Sequence, residues 1–241
     1  MSYESTVLAD SPTFLWLLDE TTGSVAADAT GNGNAGGYTQ GAAGPPGVSA
    51  NAVQLNGSTG FIYTNSNLWT SSFSAEEWFK SSSADGGTLA AGNAWIAILG
   101  DDGLITFSVY NGSALISCES TAGYSDGDWH YIAVTYENEG DLVLYVDGRA
   151  VASAANPGGV DNLPGNPAYS LGYGAQSVST SPFVAGGFSA FADYPHALTS
   201  EQVAAHFSAA GGTPPSGSAF PSESRRVTWL QRRRRPRQGP R

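Results

Sequence analysis

One cysteine, Cys118, is all that the 241 residues provide, so no disulfide can close within the chain and stability must come from a packed core. Charge is also scarce. Only 13% of residues are Asp, Glu, Lys or Arg, which favours sheets and loops coated by small polar side chains over helices laced with ion pairs. No apolar run approaches the ~20 residues that cross a bilayer. The start, Met1-Ser2-Tyr3-Glu4, has neither a basic nor an apolar segment, so no signal peptide and no membrane association are expected. Cations are almost missing from most of the chain. Lys80 and Arg149 alone precede residue 225, against 21 acids, and residues 1–224 carry a formal charge of −19.

What the chain does have is short strand signals separated by glycine-rich turns. The stretches Asp126–Tyr136 and Leu142–Gly148 alternate aromatic and β-branched residues around an acidic turn with a glycine, a hairpin pattern. Further strands are predicted at Phe14–Leu18, Ala52–Leu55, Gly60–Thr64, Phe73–Lys80, Thr88–Ala91, Ala94–Leu99, Leu104–Tyr110, Ala114–Ser117, Ala168–Tyr173 and Phe183–Phe191. This spacing argues for an all-β antiparallel sandwich. Asp28 to Gly37 is too rich in glycine for regular structure and reads as a tight loop. One helix is predicted, starting from the capping box Thr199–Gln202 and stopping before Gly211-Gly212. The expected organisation is a domain over 1–210, a Gly/Pro/Ser linker over 211–224 and an arginine-rich tail over 225–241, disordered on its own.

The stretch from Asp126 to Gly148 resembles the DGxWHxxAVTY…LYVDG signature of laminin G-like, concanavalin A-like jelly rolls. The opening Val7 to Tyr38, the segment Val53 to Phe61, the strand Phe73 to Lys80 and the closing Tyr194 to Thr199 resemble further motifs of that family. The resemblance implies an all-β, antiparallel jelly-roll β-sandwich with one short C-terminal helix. The style of the opening is similar to domains carried by tail and other virion proteins of phages infecting actinobacteria. That likeness implies a virion component without an export signal, extracellular after lysis, with other virion subunits and host glycans as partners.

The same family often holds a structural calcium between the early Gly/Asn loop and a late strand. Asp28, Gly31, Asn32 and Asn34 are the expected oxygen donors here. The late strand carries Ser189-Ala190 where the family typically shows an acidic pair. For sugar stacking, the loop-proximal aromatics are Tyr38, Trp69, Trp95, Tyr124 and Tyr173, whereas Trp16, Trp78 and Trp129 are expected in the core. No catalysis is expected. A retaining glycosidase needs two carboxylates about 5 Å apart, and adjacent Glu76 and Glu77 on a strand must point to opposite faces. In the tail, Arg225, Arg226, Trp229, Arg232, Arg233, Arg234 and Arg235 form a candidate docking segment for other virion subunits. The eight arginines of the tail can also attract nucleic acid. The reading is a non-catalytic virion surface protein. A bacterial carbohydrate-binding protein and an unusual glycoside hydrolase are the alternatives.

Overall fold

A computed structural model describes residues 2–20, 22–39, 52–64, 66, 68, 70–155, 158–163, 168–174 and 181–211. Trp69 and all of the expected linker but Gly211 lie outside the described residues. So does the whole arginine-rich tail, including the candidate docking residues Arg225, Arg226, Trp229, Arg232, Arg233, Arg234 and Arg235.

Two antiparallel sheets face each other. The first contains β1 (Phe14–Trp16), β4 (Val53–Asn56), β6 (Phe73–Lys80), β11 (Trp129–Tyr136), β12 (Asp141–Val146), β13 (Arg149–Ala155) and β15 (Ala185–Tyr194). They lie in the order β1-β15-β6-β11-β12-β13, with β4 sharing an edge of β15 with β1. The second contains β2 (Val25–Ala26), β3 (Gly36–Tyr38), β5 (Ile62–Thr64), β7 (Gly87–Gly92), β8 (Trp95–Leu99), β9 (Ile105–Tyr110), β10 (Leu115–Glu119) and β14 (Tyr169–Leu171), in the order β10-β9-β8-β7-β14-β5-β3-β2. Two helices, α1 (Tyr3–Ala9) and α2 (Ser200–Ala209), complete the architecture.

Strand alternation sorts the side chains into two cores. Phe14, Trp16, Phe79, Phe107, Leu144, Phe188 and Phe191 fill the space between the sheets, with Phe14 stacked on Trp16 at 4.6 Å and edge-on to Phe191 at 5.3 Å. Each such ring contributes roughly 1.5–3 kcal/mol by leaving water. The alternate residues of the first sheet, Trp78, Tyr131, Ala133 and Tyr194, form a second core with Val7, Val203 and Phe207 of the helices. The first sheet is therefore buried on both faces over much of its area.

The structure departs from the sequence-based reading in three places. Helix α1 has no counterpart in it. Its seven residues are too few to display a helical period, and it is held by the Ser2 cap and by burial of Val7. Gly36 and Gly37, expected in a loop, pair with Ala26 and Val25 in a strand. The reason is packing: a β-carbon at Gly36 would come 2.9 Å from the Trp16 indole. Strand β13 is the third. Its Ala/Ser-rich text lacks apolar alternation, yet Asp147 (φ 50°) and Gly148 (φ 73°) make the tight turn that folds it onto β12. The predicted α2 stands as read: Thr199 and Gln202 cap each other reciprocally.

Candidate functional site

Glu76 and Glu77 do point to opposite faces of β6, and each is only 1% exposed. Glu76 faces the helices. Its Oε1 accepts the Tyr3 hydroxyl at 2.8 Å, and its Oε2 accepts the Tyr131 hydroxyl at 2.7 Å and faces His206 Nδ1 at 2.7 Å. The other imidazole nitrogen, Nε2, lies 2.9 Å from Asp10 Oδ2, and Gln202 Nε2 donates to Asp10 Oδ1 at 2.8 Å. Burial opposes a charge on His206, but the hydrogen bonds and charges of Glu76 and Asp10 outweigh it and raise the imidazolium pKa. Burial, reinforced by the Glu76 charge, raises the hydroxyl pKa values of Tyr3, Tyr131 and Tyr194 well above the phenol range. The network ties α1, α2 and β6 together, with Glu76 and His206 at its centre closed to solvent.

Glu77 faces the interior core. Among the described residues neither of its oxygens has a hydrogen-bond partner, and burial pushes its carboxyl pKa well above the usual range. Beside it lies a void of about 10 Å³ lined in part by Ala90, Trp95 and Phe191. Two carboxyls separated by a sheet cannot cooperate on one glycosidic bond.

The early loop is organised by Asp28. Its Oδ1 accepts from Leu15 N (3.2 Å), Thr30 N (3.0 Å) and Thr30 Oγ1 (2.7 Å), and its Oδ2 accepts from Asn34 N (2.9 Å). Partial burial works against its charge, but these donors hold its carboxyl below the ordinary range. The amides of Asn32 and Asn34 donate to Thr13 O, each at 3.1 Å. Gly31 takes φ 77°, with its N–H bonded to Asp28 O. The residues expected to hold calcium do come together, but the donor set does not suit the ion. N–H and O–H groups, not open lone pairs, occupy the space around Asp28, whereas Ca²⁺ needs six to eight oxygens. The late-strand position is a bulge: Ala190 has φ 50°, and the register shifts between Ser189 and Phe191. Asp193 is buried opposite Phe14, and burial pushes its carboxyl pKa well up, with the Thr13 side chain opposing. Among the described residues no three His, Cys, Asp or Glu side chains group as metal ligands would.

The candidate aromatics other than Trp69 are dispersed. Trp95 is a correction: it is 2% exposed and stacked with Phe73 at 5.9 Å inside the sandwich. The two-residue turn Asn93-Ala94 folds its indole back over Gly92, where a β-carbon would sit 2.1 Å from Nε1. Tyr38 is half-buried with its hydroxyl on Glu20, and Tyr124 is half-buried edge-on to His130 at 5.0 Å. Tyr173 alone sits among other accessible rings. Its centroid is 4.8 Å from Phe61 and 4.9 Å from Phe183, and Phe61 is 5.5 Å from Tyr63. All four rings are half-buried.

This patch is built by β5 and by the chain leaving β14. Ile62 points inward on β5, so Phe61 and Tyr63 point outward. Gly172, at φ 81°, turns the chain so that Tyr173 bridges to Phe183. Sequence reasoning misses Phe61, Tyr63 and Phe183 because they stand in strand text where an apolar residue reads as core. Trp129 is a second correction. It is expected in the core but is half-buried at the start of β11.

No curated protein matches the chain in sequence. The binding domain of paraclostridial mosquitocidal protein 1 is similar in structure, with a TM-score of 0.68, 17% identity, and coverage of 83% of this chain and 52% of that one. The binding domain of botulinum neurotoxin DC, solved in complex with SialylT, is similar with a TM-score of 0.66, 13% identity, and coverage of 87% and 52%. The chain thus spans about half the length of these domains, and identity this low speaks to the fold alone. A family model described as the concanavalin A-like lectin/glucanases superfamily matches residues 56–204. That match covers more than half of the sequence, and the chain belongs to the concanavalin A-like lectin/glucanase superfamily.

Proposed function

We propose that the chain is a non-catalytic carbohydrate-binding module displayed on a phage virion. The observation that carries the binding reading is the patch of Phe61, Tyr63, Tyr173 and Phe183. Four adjoining half-buried rings beside β5, tilted to one another by 33–54°, offer apolar faces on which sugar C–H groups stack. The similarity to toxin binding domains, one of them solved with SialylT, supports the same class of work. The non-catalytic part rests on the two buried glutamates, divided by the sheet and closed to solvent.

The virion assignment rests on the resemblance of the opening segment to phage virion domains. Other virion subunits are then the partners, with Arg225, Arg226, Trp229, Arg232, Arg233, Arg234 and Arg235 as the docking segment, and the extracellular space after lysis is the site of action. A glycan array tests the binding reading: neutral oligosaccharides retained by the wild-type chain should be lost with Tyr173→Ala. Absence of signal with and without calcium contradicts it. A mass-spectrometric inventory of purified particles tests the virion assignment separately.

A further inference from the structure

Strands β4, β15, β6 and β11 lie side by side, and their registers align Gln54, Gly187, Lys80 and Trp129 in one row across the first sheet. Their strand neighbours Val53, Leu55, Phe188 and Phe79 point into the interior core, so the row faces outward. Gly187 leaves a gap in the row. With the Ser81 to Ser83 turn and the Gly127 loop as walls, the gap becomes a hollow of about 410 Å³, within the size range of small-molecule sites.

Its floor is formed by two closely packed glycines. A β-carbon at Gly187 would stand 3.2 Å from the Trp129 indole, and one at Gly186 would stand 2.5 Å from the Lys80 carbonyl oxygen. The hollow also holds the chain's only lysine. Lys80 is exposed and makes no ion pair among the described residues. The carboxylate of Asp126, on the adjoining loop, is already turned to the Asp128 N–H at 2.8 Å and to His130 at 3.2 Å. The Ser81 hydroxyl is committed to Ala185 O at 2.8 Å, whereas Ser82 is exposed.

We propose that this hollow binds an acidic sugar residue. Its carboxylate sits on the Lys80 ammonium, its ring lies over the Gly186-Gly187 floor, and its hydroxyls meet the Gln54 amide and Ser82. The acidic body does not forbid this. Charges farther than about 8 Å are largely screened at physiological ionic strength, so the uncompensated ammonium at contact governs the site. The hollow lies on the opposite sheet from the Phe61/Tyr173 patch and functions independently of it.

Calorimetric titration of the full chain with tetragalacturonate and with sialyllactose tests the proposal, with lactose as the neutral control. At least one acidic probe is expected to bind, and Lys80→Gln should weaken it by about tenfold or more, a change of about 1.4 kcal/mol. Tyr173→Ala should leave the affinity unchanged. Lys80 is exposed, so its variant keeps the fold, and a matching thermal transition verifies this. Failure of both acidic probes, or wild-type affinity in Lys80→Gln, overturns the proposal. An affinity that follows Tyr173 instead also overturns it. Loss of neutral-glycan binding at the aromatic patch would leave these readouts untouched, so the two readings fail separately.

Discussion

Glu76 and Glu77 are neighbours on β6, chemically identical and equally closed to solvent, yet their surroundings are opposites. Glu76 meets two tyrosine hydroxyls and an imidazole, whereas Glu77 meets hydrocarbon and a small void. A strand reverses the direction of every successive side chain, so one residue of offset separates a polar clasp from the apolar interior. Burial alone therefore does not define the role of a carboxyl. What decides is whether the groups on that face can answer its lone pairs.

The largest effect should come from breaking the satisfied side. Glu76→Ala removes the acceptor of two tyrosine hydroxyls and the partner of His206 Nδ1 and should cost about 3–5 kcal/mol in urea denaturation, the range for removing one partner of a buried network. The lost stability should be accompanied by weaker helical circular dichroism, because α1 and α2 dock through that network. Glu77→Met should do the reverse. Replacing an unanswered carboxyl by a similar apolar volume should leave stability unchanged or raise it by about 1–3 kcal/mol.

A smaller, graded effect is expected with pH. His206, Glu77 and Asp193 all have folded-state pKa values raised above their unfolded ones. Such groups stabilise fully below the unfolded pKa, and the contribution is lost as pH rises through the folded one. Thermal stability should therefore decline from about pH 5 toward alkaline pH, starting near the ordinary carboxylate range for Glu77 and Asp193 and near ~6.5 for His206. Glu77→Gln should flatten the lower part of the decline, and His206→Asn the upper part, in calorimetric scans. Smallest in stability is Tyr173→Ala. Its half-buried ring should cost on the order of 1 kcal/mol while removing much of the stacking surface.

Much of the sandwich was legible because its strands alternate or run as β-branched and aromatic segments bounded by glycine turns. Phe73–Lys80 appears with the bounds read from the sequence. The opposed directions of Glu76 and Glu77 followed from the same period of two. What escaped depended on partners remote in sequence. Helix α1 exists through contacts with Glu76 and α2, and Gly36-Gly37 is a strand because Trp16 and Ile62 crowd it. The surface sites were the least legible. Trp95 stands next to a turn and so reads as exposed, but the hairpin folds it inward over Gly92. The row Gln54, Gly187, Lys80 and Trp129 joins four strands whose register no local pattern encodes.

The measurement that bears most directly on the account is glycan-array binding by the wild-type chain beside Phe61→Ala and Tyr173→Ala, each with a native-like thermal transition. Selective retention of oligosaccharides by the wild type, lost in both variants, is the predicted result. Equal binding by all three proteins, or none by any, would contradict carbohydrate recognition at the half-buried aromatic patch.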